Sequence, residues 1–297
     1  LEEEIDKAGL QKVPKFIGKV IQMFDIFQIR FGAPLVGPAG TGKTTCYQIL
    51  AKLMTNLREK GSSNDAFQKV RYRILNPKCI TMGELYGEFH PLTQEWHDGL
   101  ASTIMREFVA EESDEKRWTI FDGPIDALWI ENMNTVLDDN KKLCLNSGEM
   151  LGMSDTMSMI FEVNDLSVAS PATVSRCGMV YMEPESLTLS PLVFSWIERL
   201  PELLPESLKS DLLVLFDTYL EAGLTFMRRF TKESAVTVNC NIAQSLMRII
   251  DTFVLKLNVP EGFEPPKPEV IKSVADNMTS IFLFALVWSV GATTDEI

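Results

Sequence analysis

One octet governs what this chain can fold into: Gly37-Pro38-Ala39-Gly40-Thr41-Gly42-Lys43-Thr44, set between an apolar run from Phe31 to Val36 and a helical pattern from Gly42 to about Leu57. A short buried strand that runs into a glycine-rich turn and then a helix demands a layered α/β architecture, because the strand needs neighbours to pair with and the helix needs a sheet to cover. The spacing G-x-x-x-x-G-K-T also has a chemical logic. Glycines let backbone N–H groups approach phosphate oxygens, the lysine bridges the β- and γ-phosphates, and the threonine hydroxyl ligates Mg²⁺. The cradle for ATP or ADP with Mg²⁺ is therefore read as Gly37, Pro38, Ala39, Gly40, Thr41, Gly42, Lys43, Thr44 and Thr45.

The rest of the first half alternates in the same way. Apolar residues at helical spacing predict a helix over about 3–29, ahead of the first strand. Pro34 removes a ladder donor, which places the first strand near an edge or makes it bulged. Further strands are expected at Arg71–Leu75, Trp118–Phe121, Met159–Val163 and Met179–Met182, with helices over Leu100–Val109 and about Ala127–Leu137. Residues 83–99, rich in glycine, aromatic and histidine side chains, read as a hairpin or insert loop, and Ser147-Gly148 as the centre of a second hairpin. Alternation of strand and helix predicts a P-loop α/β fold, a parallel sheet flanked by helices. From about residue 184 the pattern becomes helical, with one proline-rich break at 260–268. The expected organisation is a large nucleotide-binding domain over 1–184 and an all-α small (lid) domain over 185–297.

Asp122 closes the apolar run Trp118–Phe121, the place where a magnesium-orienting carboxylate is expected, so the metal ligands are read as Thr44 and Asp122. The next residue is Gly123, where hydrolysing proteins with this loop carry a glutamate that polarises the attacking water. Loss of a general base forfeits roughly 10²- to 10⁴-fold in rate, so the residues predict that nucleotide is held with little or no hydrolysis. Asp126 and Glu131 are the alternative bases of an active ATPase. Asp126 reads better as the N-cap of the following helix. Asn164, at the end of the Met159–Val163 strand, either contacts the γ-phosphate or caps a loop.

Composition excludes several classes. The formal net charge of -13 argues against a nonspecific nucleic-acid binder, which needs a basic face. The five cysteines are scattered, without CxxC spacing, so neither a disulfide framework nor a zinc knuckle is expected. His90 and His97, without a nearby array of cysteines or carboxylates, read as exposed polar residues and not as metal ligands. The methionines at 150, 153, 157 and 159 read as core and hairpin filling in preference to an adaptable contact surface. The apolar stretch Ile281–Val290 is too short to span a bilayer and reads as a buried helix, and no membrane association is expected. A first residue of Leu reads as an internal piece of a longer polypeptide. Arg228 and Arg229 are either a phosphate contact in cis or ordinary surface charge. A small-molecule kinase, the other P-loop class considered, would need an acceptor pocket and a mobile lid, to which a helical domain after the sheet is a poorer match.

The loop GPAGTGKTT and the runs LNPKCITMGELYGEFHPLTQEWHDG, FDGPIDALWIENMNTVLDDNKKLCL and FEVNDLSVASPATVSRCGMVYMEP together resemble the second AAA+ module of a dynein heavy chain, most closely the axonemal inner-arm type. The resemblance is nearly continuous over about residues 12–184, and the helical remainder, including Phe284 to Ala292, fits that module's small domain. It implies a place in a ring of AAA+ modules within one chain, with the main hydrolytic site between the first and second modules and nucleotide in the second held structurally. It implies that Arg176 is an arginine finger acting in trans on the first module's site, a role worth about 10³- to 10⁵-fold in rate. It also implies that the insert around 84–98 and the hairpin at Ser147-Gly148 face the linker whose swing is the power stroke. The partners implied are neighbouring modules and linker, microtubules through parts absent here, and dynein light and intermediate chains. The location implied is the cytoplasm and cytoskeleton, in the axoneme of a cilium or flagellum. Relative to the family pattern, the chain is expected to stop before its module is finished and to lack the stalk and the microtubule-binding tip.

Overall fold

The computed structural model describes residues 1–137, 140–183, 187–254, 257 and 266–295. They divide into two compact units, Leu1–Glu4 with Pro14–Ser186, and Ile5–Val13 with Leu187–Ile297. Residues 184–186, at the expected domain boundary, and 258–265, which overlap the expected proline-rich break at 260–268, lie outside the described residues.

The first unit opens with α1 (Glu2–Lys7), whose last residues belong to the second unit, and α2 (Pro14–Phe27). A single helix over 3–29 was expected. The chain instead breaks ahead of Pro14, because proline has no N–H to donate into a preceding turn and is best placed where a helix starts. Then come β1 (Gly32–Val36), α3 (Lys43–Glu59), β2 (Val70–Leu75), α4 (Met82–Tyr86), β3 (Gly87–Phe89), β4 (Trp96–Asp98), α5 (Leu100–Ala110) and β5 (Lys116–Asp122). The unit closes with α6 (Ala127–Glu131), α7 (Asn134–Leu137), β6 (Lys142–Cys144), β7 (Met150–Gly152), β8 (Met157–Val163), α8 (Pro171–Arg176) and β9 (Val180–Tyr181). The one helix expected over 127–137 is thus two short ones. Both hairpins form: β3 pairs antiparallel with β4 and β6 with β7.

The main sheet is parallel, in the order β2-β5-β8-β1-β9. β5 and β8 are buried on both faces, as a sheet with helices on each side requires. Phe121 and Phe161, register partners on these strands, stack with centroids 5.3 Å apart and both lean on Trp129 of α6. On the opposite face Trp118 meets Phe27 of α2, and Tyr47 of α3 meets Tyr72 of β2. Of the methionines, Met153, Met157 and Met159 are core residues and Met150 is exposed.

β1 lies near an edge, as the lost donor at Pro34 predicted, and is not bulged. It pairs in unbroken register with β8 and lies one strand from the edge. Pro34 is tolerated because the carbonyls of Gly32 and Val36 accept from Gly178 and Met182, so alternate residues of β1, Pro34 among them, turn their backbone groups toward β9. On that side β9 is only two residues long and pairs with Leu35 and Val36.

The second unit holds α9 (Leu189–Glu198), α10 (Glu206–Phe230), β10 (Lys232–Glu233), α11 (Asn239–Val254), α12 (Pro268–Asp276), α13 (Met278–Val290) and β11 (Thr294–Asp295). Its core gathers Trp196, Phe216, Leu220, Leu246, Ile250 and Phe282 from four helices. The unit is helical with one addition, the two-residue antiparallel pairing of β10 with β11. α13 corrects the expectation of a buried helix. Phe282 and Ala285 are fully buried, whereas Leu283, Phe284, Val287 and Trp288 are 44%, 49%, 68% and 61% exposed. Among the described residues no single helix is long and apolar enough to cross a membrane.

Candidate nucleotide site

The octet runs from the end of β1 into the first two residues of α3, as the spacing requires. Gly37 donates its amide to the Val163 carbonyl of β8, which ties the loop to the sheet. A Cβ on Gly37 would stand 2.3 Å from the Met182 carbonyl oxygen, so no larger residue fits this turn. Gly42 caps α3 in the left-handed conformation at φ 84° and offers no side-chain acceptor. The first amides of this 17-residue helix therefore receive nothing from their own cap and keep the positive end of the dipole for a ligand. Lys43 is buried, its ammonium donating to the carbonyls of Gly37 at 2.7 Å and Pro38 at 2.9 Å, while the Thr41 hydroxyl donates to Pro38 O at 2.8 Å. Pro38, Ala39 and Gly40 are exposed, as is Thr44, and Thr45 is half-buried.

Two carboxylates stand beside the loop. Asp122 is the last residue of β5 and its register partner on β8 is Glu162. Strand alternation turns both away from the face that carries Phe121 and Phe161 and toward α3. Glu162 Oε1 accepts the Thr44 hydroxyl at 2.6 Å, and its Oε2 is buried with no hydrogen-bond partner. Burial raises the Glu162 carboxyl above the ordinary value; the Thr44 bond opposes this, the Asp122 charge adds to it and Lys43 opposes it. Burial also pushes the Tyr47 hydroxyl up, with the charges of Glu162, Tyr72 and Asp122 adding. Glu162 was not among the residues singled out from the sequence. Its one available signal is an acidic residue inside the otherwise apolar run Met159–Val163.

The residues present fit a magnesium-bound polyphosphate. A glycine cradle that a Cβ would fill, an uncapped helix start, a lysine at the loop and a hydroxyl with two carboxylates supply both the anion-binding and the hard-oxygen donors. Thr44 and Asp122, the ligands expected from the sequence, are among these donors.

Gly123 sits where a water-activating glutamate was sought. A Cβ there would lie 2.8 Å from Asn76 Oδ1 and 3.4 Å from Pro77 Cδ. The Asn76 oxygen is itself held, accepting the Lys78 amide at 2.9 Å. Asp126 accepts the Leu128 amide at 2.9 Å as the N-cap of α6 and pairs with Lys78, which holds its carboxyl below the ordinary value together with the Leu128 bond. Glu131 is exposed at the end of α6. Asn164 is exposed one residue past β8, next to the Val163 carbonyl that anchors the loop. Arg176 is the last residue of α8, and its side chain lies outside the described residues.

The other candidates have local roles. Arg228 donates to Thr237 O at 2.7 Å and Asn239 Oδ1 at 3.0 Å and pairs with Glu233, which ties α10 to the start of α11; Arg229 is exposed. His90 Nδ1 accepts the Leu92 and Thr93 amides within the β3–β4 turn. Among the described residues no group of three or more histidines, cysteines, aspartates or glutamates is placed to hold a metal.

Two family models match the chain: the AAA domain of the dynein-related subfamily over residues 33–177 and the dynein heavy chain AAA lid domain over 212–297. The sequence is 46% identical over 297 residues to dynein axonemal heavy chain 1 of Homo sapiens, covering 100% of this chain and 7% of that protein. The chain belongs to the dynein heavy-chain family. It is also 43% identical over 295 residues to dynein axonemal heavy chain 3 of Homo sapiens, covering 99% of this chain and 7% of that one. Against dynein axonemal heavy chain 12 of Rattus norvegicus the figures are 44% over 299 residues, 99% of this chain and 9% of the relative. Within the dynein heavy-chain family, then, this chain spans less than a tenth of the length of the relatives it matches. The two models also agree with the architecture, a P-loop AAA+ sheet domain followed by a helical lid.

Proposed function

We propose that this chain is the second AAA+ module of an axonemal dynein heavy chain of the inner-arm type, and that it holds Mg²⁺-bound ATP or ADP with little or no hydrolysis. Residues 1–184 form its nucleotide-binding domain and 185–297 its lid. One observation carries the reading: an intact Lys43 loop lies beside Gly123, whose side-chain space is taken by the Asn76 amide. The cradle is complete, and the residue directly after Asp122 carries no carboxylate to activate water. Bound Mg²⁺ supplies neutralising charge to the phosphate chain. Thr44 and Asp122 would hold it, Lys43 and the α3 amides would orient the phosphates, and Asn164 would either reach the γ-phosphate or cap the loop after β8.

In this reading Arg176 acts in trans, as an arginine finger at the site of the preceding module. The β3–β4 and β6–β7 hairpins face the linker. Neighbouring modules, light and intermediate chains, and microtubules engaged by other parts of the heavy chain are the partners, in the axoneme of a cilium or flagellum.

The test uses the intact motor loaded with labelled ATP. Lys43→Ala is expected to remove one equivalent of bound nucleotide, and in the parent that equivalent is recovered unhydrolysed after many turnovers of the remaining sites. Its rapid conversion to ADP would overturn the non-hydrolysing role and favour Asp126 or Glu131 as base. Arg176→Ala is expected to suppress motor hydrolysis while leaving the Lys43-dependent nucleotide bound; an unchanged motor ATPase would sink the trans role.

A further inference from the structure

Thr44 and Glu162 lie 118 positions apart in sequence and meet at 2.6 Å. A threonine hydroxyl has one proton and two acceptor lone pairs. Donated to Glu162 Oε1, the proton is spent, and the lone pairs of the hydroxyl oxygen of Thr44, an exposed residue, remain for a cation. Donation to a carboxylate also raises the electron density on the hydroxyl oxygen and fixes its rotamer, as carboxylate partners do for metal ligands elsewhere.

The charge balance points the same way. Asp122 and Glu162 place two carboxylates at adjacent strand ends. Lys43 pulls against the Glu162 charge, yet its ammonium is bonded to the Gly37 and Pro38 carbonyls. A bare polyphosphate entering this cradle meets two negative groups, whereas one that arrives with a divalent cation meets two groups of opposite sign to that cation. The buried Oε2 of Glu162, without a hydrogen-bond partner, is an acceptor that a metal-bound water satisfies.

We infer that Glu162 is a second acidic positioning residue of a divalent-cation site built on Thr44 and Asp122, and that it makes nucleotide retention conditional on the metal. The inference rests on the reading of the Lys43 loop as a nucleotide site. Glu162 is bonded to the metal-ligating hydroxyl and stands level with Asp122, so the role assigned is positioning and not general base.

The experiment uses the intact heavy chain, labelled ATP and buffered free Mg²⁺, with nucleotide per chain counted after rapid gel filtration. Each count is taken as the difference from Lys43→Ala, which isolates this site from others in the same chain. Glu162→Gln is expected to raise the Mg²⁺ concentration for half-retention about 10- to 100-fold and to increase the fraction retained in EDTA. Mn²⁺ in place of Mg²⁺ gives a second readout, a weaker bound-metal signal by electron paramagnetic resonance. Where Glu162→Gln does not fold, Glu162→Asp keeps the charge but withdraws it from Thr44, and the Mg²⁺ midpoint alone is expected to rise. An unchanged midpoint in the folded variant overturns the inference while a Lys43-dependent equivalent leaves the nucleotide reading standing. No loss of nucleotide on Lys43→Ala overturns both.

Discussion

The side-chain oxygen of Asn76 lies 2.8 Å from where a Cβ on Gly123 would stand, and the same oxygen accepts the Lys78 amide at 2.9 Å. The strand end where a catalytic glutamate would stand is crowded by a side chain of a neighbouring turn. Gly123→Glu is therefore expected to add no ATP hydrolysis and to cost about 1 to 3 kcal/mol, the usual range for forcing atoms into a packed site. Asn76→Gly in the same chain should recover most of that loss. Urea unfolding and phosphate release check the two halves, and a Gly123→Glu variant that hydrolyses ATP at full stability contradicts the steric account.

Asp126 separates the capping role from the catalytic one. Its carboxylate serves the Leu128 amide and Lys78. Asp126→Ala should cost roughly 1 kcal/mol, the common value for an N-cap, with no change in the hydrolysis of the Lys43-dependent nucleotide. A fall in that hydrolysis with stability intact marks Asp126 as a base after all.

Arg117 is 2% exposed at the start of β5, where its guanidinium satisfies the carbonyls of Glu111 at 2.8 Å and Glu115 at 3.2 Å and also meets those of Phe108 and Ser113. Arg117→Met keeps the bulk and strips these acceptors of their donor. A loss of about 2 to 4 kcal/mol is expected, since each buried acceptor left alone costs about 1 to 3. Equilibrium unfolding measures it, and a neutral substitution would show that water reaches these carbonyls.

Arg106 of α5 joins the two hairpins, bonding Asp98 of the first at 2.8 Å and Glu149 beside the second at 2.6 Å. Its hydrogen bonds hold both carboxyls below their ordinary values of 3.8 and 4.5. A depressed folded pKa contributes stability that is present above the unfolded value and is lost as pH falls through the folded one. The tie should persist from neutral pH to about pH 4 and fail below it. Amide exchange in residues 87–98 and 142–152 across that window reads the loss, and Arg106→Gln should flatten the profile.

The loop octet, the strand end at Asp122 and both hairpins were legible in the sequence because each rests on spacing within one short segment, and the parallel sheet because strand and helix alternate along the chain. What stayed hidden depends on segments far apart. Asn76 and Gly123 meet only once β2 and β5 are paired, and Glu162 reads as a blemish in a strand until β8 is set beside β5. Pro14 signals the break between α1 and α2, but apolar spacing runs across it and masks the signal. Pro34 marks a lost donor. Its tolerance near the middle of β1 needed the length of β9, a fact about another element. In α13 apolar residues recur on every side, so the periodic contrast that tells an inner from an outer face is missing.

That uniformity in α13 has a practical consequence. With Phe284, Val287 and Trp288 wet on one side and Phe282 and Ala285 sealed on the other, replacing the wet residues by polar ones removes little from the core. Solubility of the isolated polypeptide is thus adjustable on this helix without touching the packing that keeps it folded.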